Sequence, residues 1–138
     1  MLVPTQAPDA WGVFDYLTDH TDTPVPDTTW LTALQHTTNA DQLTTIGIHA
    51  HEAAPGIAES SYRRAVEAGH TDALFNLGIL LVEAGRGEEA EGFYRRAAEA
   101  GDTDAMVNLG NLLKRTGRAR EAEVFYQRAE AAGDRRPG

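Results

Sequence analysis

The 138-residue chain carries a formal net charge of −9, a pI near 4.9, 41% hydrophobic and 24% charged residues. That balance is globular, and a chain of this length buries roughly two thirds of its unfolded surface without a covalent staple. It contains no cysteine, which excludes disulfides, zinc ribbons and thiol catalysis.

Charge divides the chain. Residues 1–62 hold eight acids and no Lys or Arg, whereas residues 63–138 hold thirteen acids and all twelve basic residues. The acidic front repels phosphate backbones, so nucleic acid is not expected as a ligand. The first twenty residues lack Lys, Arg and any long apolar stretch, so no secretory signal is expected. The longest apolar run, Ile79-Leu80-Leu81-Val82, is far short of a membrane span. Arg outnumbers Lys by eleven to one and Ala is abundant, which points to a bacterial, cytoplasmic protein without membrane contact.

Residues 1–38 form a first, non-repeating segment that holds both tryptophans. Asp9 precedes an amphipathic stretch over residues 10–17, residues 21–26 read as a turn or linker, and Asp27 caps a helix carrying Trp30, Leu31 and Leu34. The segment is expected to form a helical cap over the first repeat; the other reading is an aromatic segment that docks on a partner or in the chain's own groove.

Residues 39–138 read as three units, about 40–69, 70–101 and 102–133. In the first, Asn39 and Gln42 form a capping box, and Pro55 separates two helices. The other two are near copies. Aligning residues 69–100 with 101–132 gives nineteen identities in 32 positions, and a fixed period in this range marks a solenoid of stacked hairpins. Leu74, Leu77, Gly78 and Leu81 share one helix face, Thr71 or Asp72 caps it, and Gly85 closes it in the left-handed conformation. A second helix from Gly87 presents Ala90, Phe93, Tyr94 and Ala97, and Gly101 closes it. The next unit repeats this with Leu109, Gly110, Leu113, Ala122, Phe125, Tyr126 and Ala129, ending at Gly133. Gly78 and Gly110 sit inside helices, where glycine costs about 1 kcal/mol against alanine, so close approach of the partner helix is expected there. In the first unit Tyr62-Arg63-Arg64-Ala65 aligns with Tyr94-Arg95-Arg96-Ala97, but Ile46-Gly47 falls one residue out of phase with Leu77-Gly78.

The positions Leu77, Gly78, Leu81, Ala90, Tyr94 and Ala97, with their counterparts 32 residues on, resemble the tetratricopeptide repeat. The chain departs from that family in its period of 32 instead of 34 and in Asp102 and Asp134 where the turn usually has proline, and the run over residues 94–105, Tyr-Arg-Arg-Ala-Ala-Glu-Ala-Gly-Asp-Thr-Asp-Ala, resembles the related Sel-type repeat. The resemblance implies an all-α, right-handed αα superhelix. It also implies that Asp72, Phe75, Ile79 and Val82, then Asp104, Val107, Asn111 and Lys114, face the concave surface, joined by Asp41, Thr44, Ile48 and His51 from the first unit. Asn76 and Asn108 stand beside that face, either to meet a ligand backbone or to bond within the array. The family's grip on a terminal carboxylate uses basic residues where this chain has Phe75 and Val107, so that grip is not expected. The strip is apolar in the middle with acids at one edge and Lys114-Arg115 at the other, which suits an amphipathic helix or extended apolar segment.

Chemistry finds little footing. His49, His51 and Glu52 form the one suggestive cluster, but the i, i+2 spacing of the histidines points them about 200° apart on a helix. Ser60 and Ser61 lack a nucleophile-elbow setting, and Gly85-Arg86-Gly87 reads as an interhelical turn. The repeated Arg-Arg pairs suit phosphate or carboxylate, with solvated pairing to Glu the simpler role. Leu112, Val124 and Phe125 in the C-terminal repeat call for cover, for which a second copy making a homodimer is one source. The expectation is a non-enzymatic scaffold without cofactor or metal that binds a protein or peptide. The alternatives are an accessory subunit binding through residues 1–38, or a metal-dependent enzyme using His49, His51 and Glu52.

Overall fold

A computed structural model describes residues 27–133, and every regular element among them is helical. The helices are α1 (Asp27–His36), α2 (Ala40–Ala50), α3 (Pro55–Glu67), α4 (Asp72–Glu83), α5 (Gly87–Glu99), α6 (Thr103–Arg115) and α7 (Ala119–Gly133). The helix expected over residues 10–17 and the linker over 21–26 lie outside the described residues. None of the described helices is long and apolar enough to cross a membrane. The chain forms two compact units, residues 1–70 and 71–138.

In the first unit, α1 buries Trp30, Ala33 and Leu34 at i, i+3, i+4 spacing and leaves Leu31 exposed. Asn39 caps α2 as expected, its Oδ1 accepting from the amides of Asp41 and Gln42. The return half of the capping box is diverted: Gln42 Oε1 accepts from Thr37 Oγ1 at 2.8 Å and ties the α1–α2 corner. Arg64 on α3 donates to the carbonyls of Leu34 and Thr37, so a cation closes the carbonyl end of α1. Only Arg63 of that Arg-Arg pair takes the intrahelical glutamate, Glu59, at 2.8 Å. Pro55 stands in the first turn of α3, where its missing N–H costs nothing. Thr44, expected on the concave surface, is buried. Its hydroxyl donates to the Ala40 carbonyl and sits 3.1 Å from His70 Nδ1, while His70 Nε2 lies 2.7 Å from Asp41 Oδ1.

In the second unit the helices pack in chain order, α4 on α5, α5 on α6 and α6 on α7, which is the stacking of successive hairpins. Leu77, Leu81, Leu109 and Leu113 are fully buried. Gly85, Gly101 and Gly117 end their helices at φ +77°, +94° and +83°, a region that a side chain would strain. Gly133 differs, standing as the last residue of α7. The starts also differ from expectation. Thr71 is already in the right-handed helical region and makes no side-chain cap. Asp102, one residue earlier in the repeat, is extended and its carboxylate accepts from Ala105 N at 3.1 Å. On α5 the buried positions are Ala90, Tyr94, Ala97 and Ala98. Phe93 lies at the margin instead, with the Arg96 guanidinium 5.9 Å from its ring centre.

Each hairpin is closed by one glycine against one tyrosine. A Cβ placed at Gly47, Gly78 or Gly110 would lie 2.3, 2.5 and 2.5 Å from the rings of Tyr62, Tyr94 and Tyr126. Such overlap is impossible, so the ring occupies the volume that a side chain would take. The glycine and tyrosine are sixteen residues apart in the second and third hairpins and fifteen in the first. The one-residue offset in the first unit is therefore absorbed between the glycine and the tyrosine, with the contact itself intact.

Outside the core, α5 and α7 are joined by charge. Glu91 accepts from Arg95 at 2.8 Å and from Arg118 at 2.5 Å, and Arg95 also reaches Glu121 on α7. The hydrogen bond from Arg118, with Arg95 adding to it, holds the Glu91 carboxyl below the usual carboxylate range. Arg95 and Arg128 flank the Phe125 ring at 5.4 and 5.2 Å from its centre. Phe125 and Leu112, expected to need outside cover, are thus buried within the chain, while Val124 is half exposed.

Gly78→Ala will lower stability by about 1–3 kcal/mol although alanine is the better helix former. Gly92→Ala on α5, where nothing lies near the added methyl, will raise it by up to about 1 kcal/mol; urea melts of the two variants check the contrast. Glu91→Gln will cost about 1 kcal/mol at pH 7. Because the folded carboxyl titrates below its unfolded value, its contribution is present above that value and is lost as pH falls through the lower one. The gap between wild type and variant therefore closes on acidification below about pH 4.

Candidate functional site

The second unit contains an open pocket of about 330 Å³. Helix α4 supplies Ile79, Val82 and Glu83, spaced i, i+3, i+4. Helix α6 supplies Asn108, Asn111, Leu112 and Arg115, spaced i, i+3, i+4, i+7. Each set is one face of its helix. Tyr94 of α5 stands between them, its ring seated over Gly78 and 6.2 Å from that of Phe75.

Ile79, Val82 and Leu112 provide the apolar surface, and the amides of Asn108 and Asn111 provide donors and acceptors. Asn108 lines the pocket together with Tyr94. Asn111 Oδ1 accepts from the Tyr126 hydroxyl at 2.7 Å. Burial pushes the Tyr94 phenol above the ordinary tyrosine value, because the phenolate would be poorly solvated; the neighbouring Asn108 amide opposes this in part.

Of the residues singled out from sequence, Ile79, Val82, Asn108 and Asn111 line this pocket. Asp72, Phe75 and Asn76 lie elsewhere on α4, and the exposed Val107 and Lys114 elsewhere on α6. In the first unit, taken by itself, Ile48 is 55% exposed, and His51 lies edge-on to Tyr62 with Nδ1 3.4 Å from its hydroxyl. His49 Nδ1 instead sits 2.8 Å from the Thr45 carbonyl oxygen. No three His, Asp or Glu side chains are grouped to hold a metal ion among the described residues.

Sequence reasoning passed over Tyr94, Glu83 and Leu112 as pocket residues. Tyr94 reads as packing because it follows the periodicity of its own helix. Its recurrence at positions 62, 94 and 126, each after a helical glycine, is the signal that marks a shared structural task. Tyr94→Phe will cost at most about 1 kcal/mol, because the ring keeps its place over Gly78 and only the hydroxyl is lost. In an ultraviolet pH titration, the tyrosine component missing from the variant will be one that ionises above about pH 10.

A family model described as tetratricopeptide repeat matches residues 73–104, and a second of the same description matches residues 103–129. The crystal structure of MamA superposes with a TM-score of 0.76 at 16% identity, covering 91% of this chain and 78% of that one. A second MamA structure gives a TM-score of 0.73 at 17% identity, covering 91% and 73%. The crystal structure of a Sel1 repeat protein from Oxalobacter formigenes gives 0.61 at 27% identity, covering 91% of this chain and 56% of that one. No curated protein matches the sequence. The MamA likeness is one of fold. Together with the repeat period and the glycine–tyrosine hairpins, these matches identify residues 73–129 as tetratricopeptide repeats and support units of the Sel type.

Proposed function

We propose that the chain is a non-enzymatic scaffold that holds a segment of a protein or peptide partner, and that the pocket between α4 and α6 is where the segment lies. The carrying observation is the pocket itself: an open site whose apolar side chains stand beside two side-chain amides is suited to an extended peptide, with its side chains inserted and its backbone hydrogen-bonded. Val107, exposed beside it on α6, extends the apolar surface. Ile48 and His51 of the first unit, and Asp72, Phe75, Asn76 and Lys114 of the second, are retained as contacts for the rest of such a partner. Binding in the micromolar range, about −8 kcal/mol, is expected of a single segment.

The accessory-subunit reading gains less support, since Trp30 of that segment is buried in the first unit.

The test is selection of a random peptide library displayed on phage against the intact protein, followed by fluorescence binding of the selected peptides. They are expected to lose at least tenfold in affinity for Ile79→Asp, while circular dichroism shows that variant still helical. Peptides that bind the folded variant as tightly as wild type place the binding surface elsewhere and overturn the assignment.

A further inference from the structure

We infer that the pocket's partner is an acidic segment: an extended peptide that sets an aliphatic side chain between Ile79 and Leu112 and a carboxylate side chain against Lys114 and Arg115. The inference rests on the pocket being the binding site and adds the chemistry of what it holds.

The two copies of the repeat serve as controls for each other. They agree at nineteen of 32 positions, including the pocket pairs Leu80/Leu112, Tyr94/Tyr126 and Asn76/Asn108. They part at 79/111, 82/114 and 83/115, where Ile, Val and Glu on α4 face the replacements Asn, Lys and Arg on α6. Since the shared positions already build the hairpins, these changes serve the surface. They give one wall two aliphatic side chains and the Glu83 carboxylate, and the other helix an amide followed by two cations.

Five of the eight cations among the described residues of this unit are engaged by a carboxylate or a ring. Arg86 pairs with Glu89, Arg95 and Arg118 pair with Glu91, and Arg96 and Arg128 lie over Phe93 and Phe125. Lys114, Arg115 and, on α7, Arg120 are exposed and carry no ion pair among the described residues; the first two are adjacent, and Arg115 is the one that lines the pocket. In a chain of net charge −9, Arg115 on the wall of the pocket and Lys114, next to it in sequence but outside the lining, are complementary to an anion brought by the partner, while Glu83 on the opposite wall keeps that anion on the α6 side. Asn108 and Arg115 are seven residues apart on α6, about 10 Å along its axis, and an extended peptide covers that in about three residues. The carboxylate is thus a side chain a short way along the segment, distinct from a chain terminus gripped by basic groups at Phe75 and Val107.

The probe is a fluorescein-labelled synthetic peptide, blocked at both ends, carrying one leucine and, about three residues away in either order, two aspartates in a glycine–serine background. Twins replace the aspartates with asparagine or lysine. At low salt the acidic peptide is expected to bind about fivefold more tightly than its asparagine twin, and the preference is expected to shrink in 0.5 M salt, roughly three times the physiological ionic strength. Lys114→Gln/Arg115→Gln should abolish the preference, and Lys114→Glu/Arg115→Glu should reverse it toward the lysine twin, which a purely structural role of these residues would not do. Acidic and amide twins that both need Ile79 yet bind equally overturn the inference and leave the scaffold reading standing. Failure of every peptide, selected or designed, to depend on Ile79 overturns both. A dimer in sedimentation that Ile79→Asp dissociates gives the pocket to a second copy and overturns the acidic-peptide assignment.

Discussion

The contact of a tyrosine ring with a bare helical backbone governs this chain. In each hairpin the ring fills the volume where a Cβ would stand, at 2.3–2.5 Å from the glycine's ideal Cβ position. A helical glycine is costly on its own, by about 1 kcal/mol. Its retention follows from what it admits: an aromatic side chain, almost wholly buried in the first two hairpins, laid against the facing helix. The contact sets how closely the two helices approach, and so how the next helix can seat. The pocket inherits its geometry from this, because Tyr94 is held over Gly78 at the point where α4 and α6 present their faces.

From that contact the site follows in two steps. Seating Tyr94 over Gly78 places it on the wall of the pocket beside Asn108 of the next hairpin. Stacking α6 against α5 then places the exposed rows of α4 and α6 on either side of one opening. The residues that fill those rows are free to vary, since neither row is needed to close a hairpin. The duplicated units have used that freedom, one wall carrying Ile79, Val82 and Glu83 and the other Asn111 and Arg115.

Polar groups do a second kind of work away from the pocket. Glu91, Arg95, Arg118 and Glu121 tie α5 to α7, and the guanidiniums of Arg95 and Arg128 cover Phe125. Long side chains shield apolar surface with their stems and planar heads while remaining solvated. The same principle in the first unit gives Arg64 the carbonyl end of α1. Charged residues that read as a solvated surface are thus partly the lid of the core.

Much of the architecture was legible in the chain. The nineteen identities in 32 positions, the leucine spacing and the glycines at helix ends determined the helices, their order and their close pairing, because these are local or repeat-encoded properties. The capping residues were less secure: Asp102 and Thr71 differ by one position, and only backbone dihedrals separate a cap from a first turn. Ile79, Val82, Asn108 and Asn111 were found because a helix face is a matter of periodicity. Tyr94 as a wall of the pocket, Thr44 as a buried bond to His70, and Arg95 as cover for Phe125 were decided by tertiary structure alone. Each depends on where a side chain from one helix ends relative to another helix, a distance that periodicity along one strand of sequence does not contain.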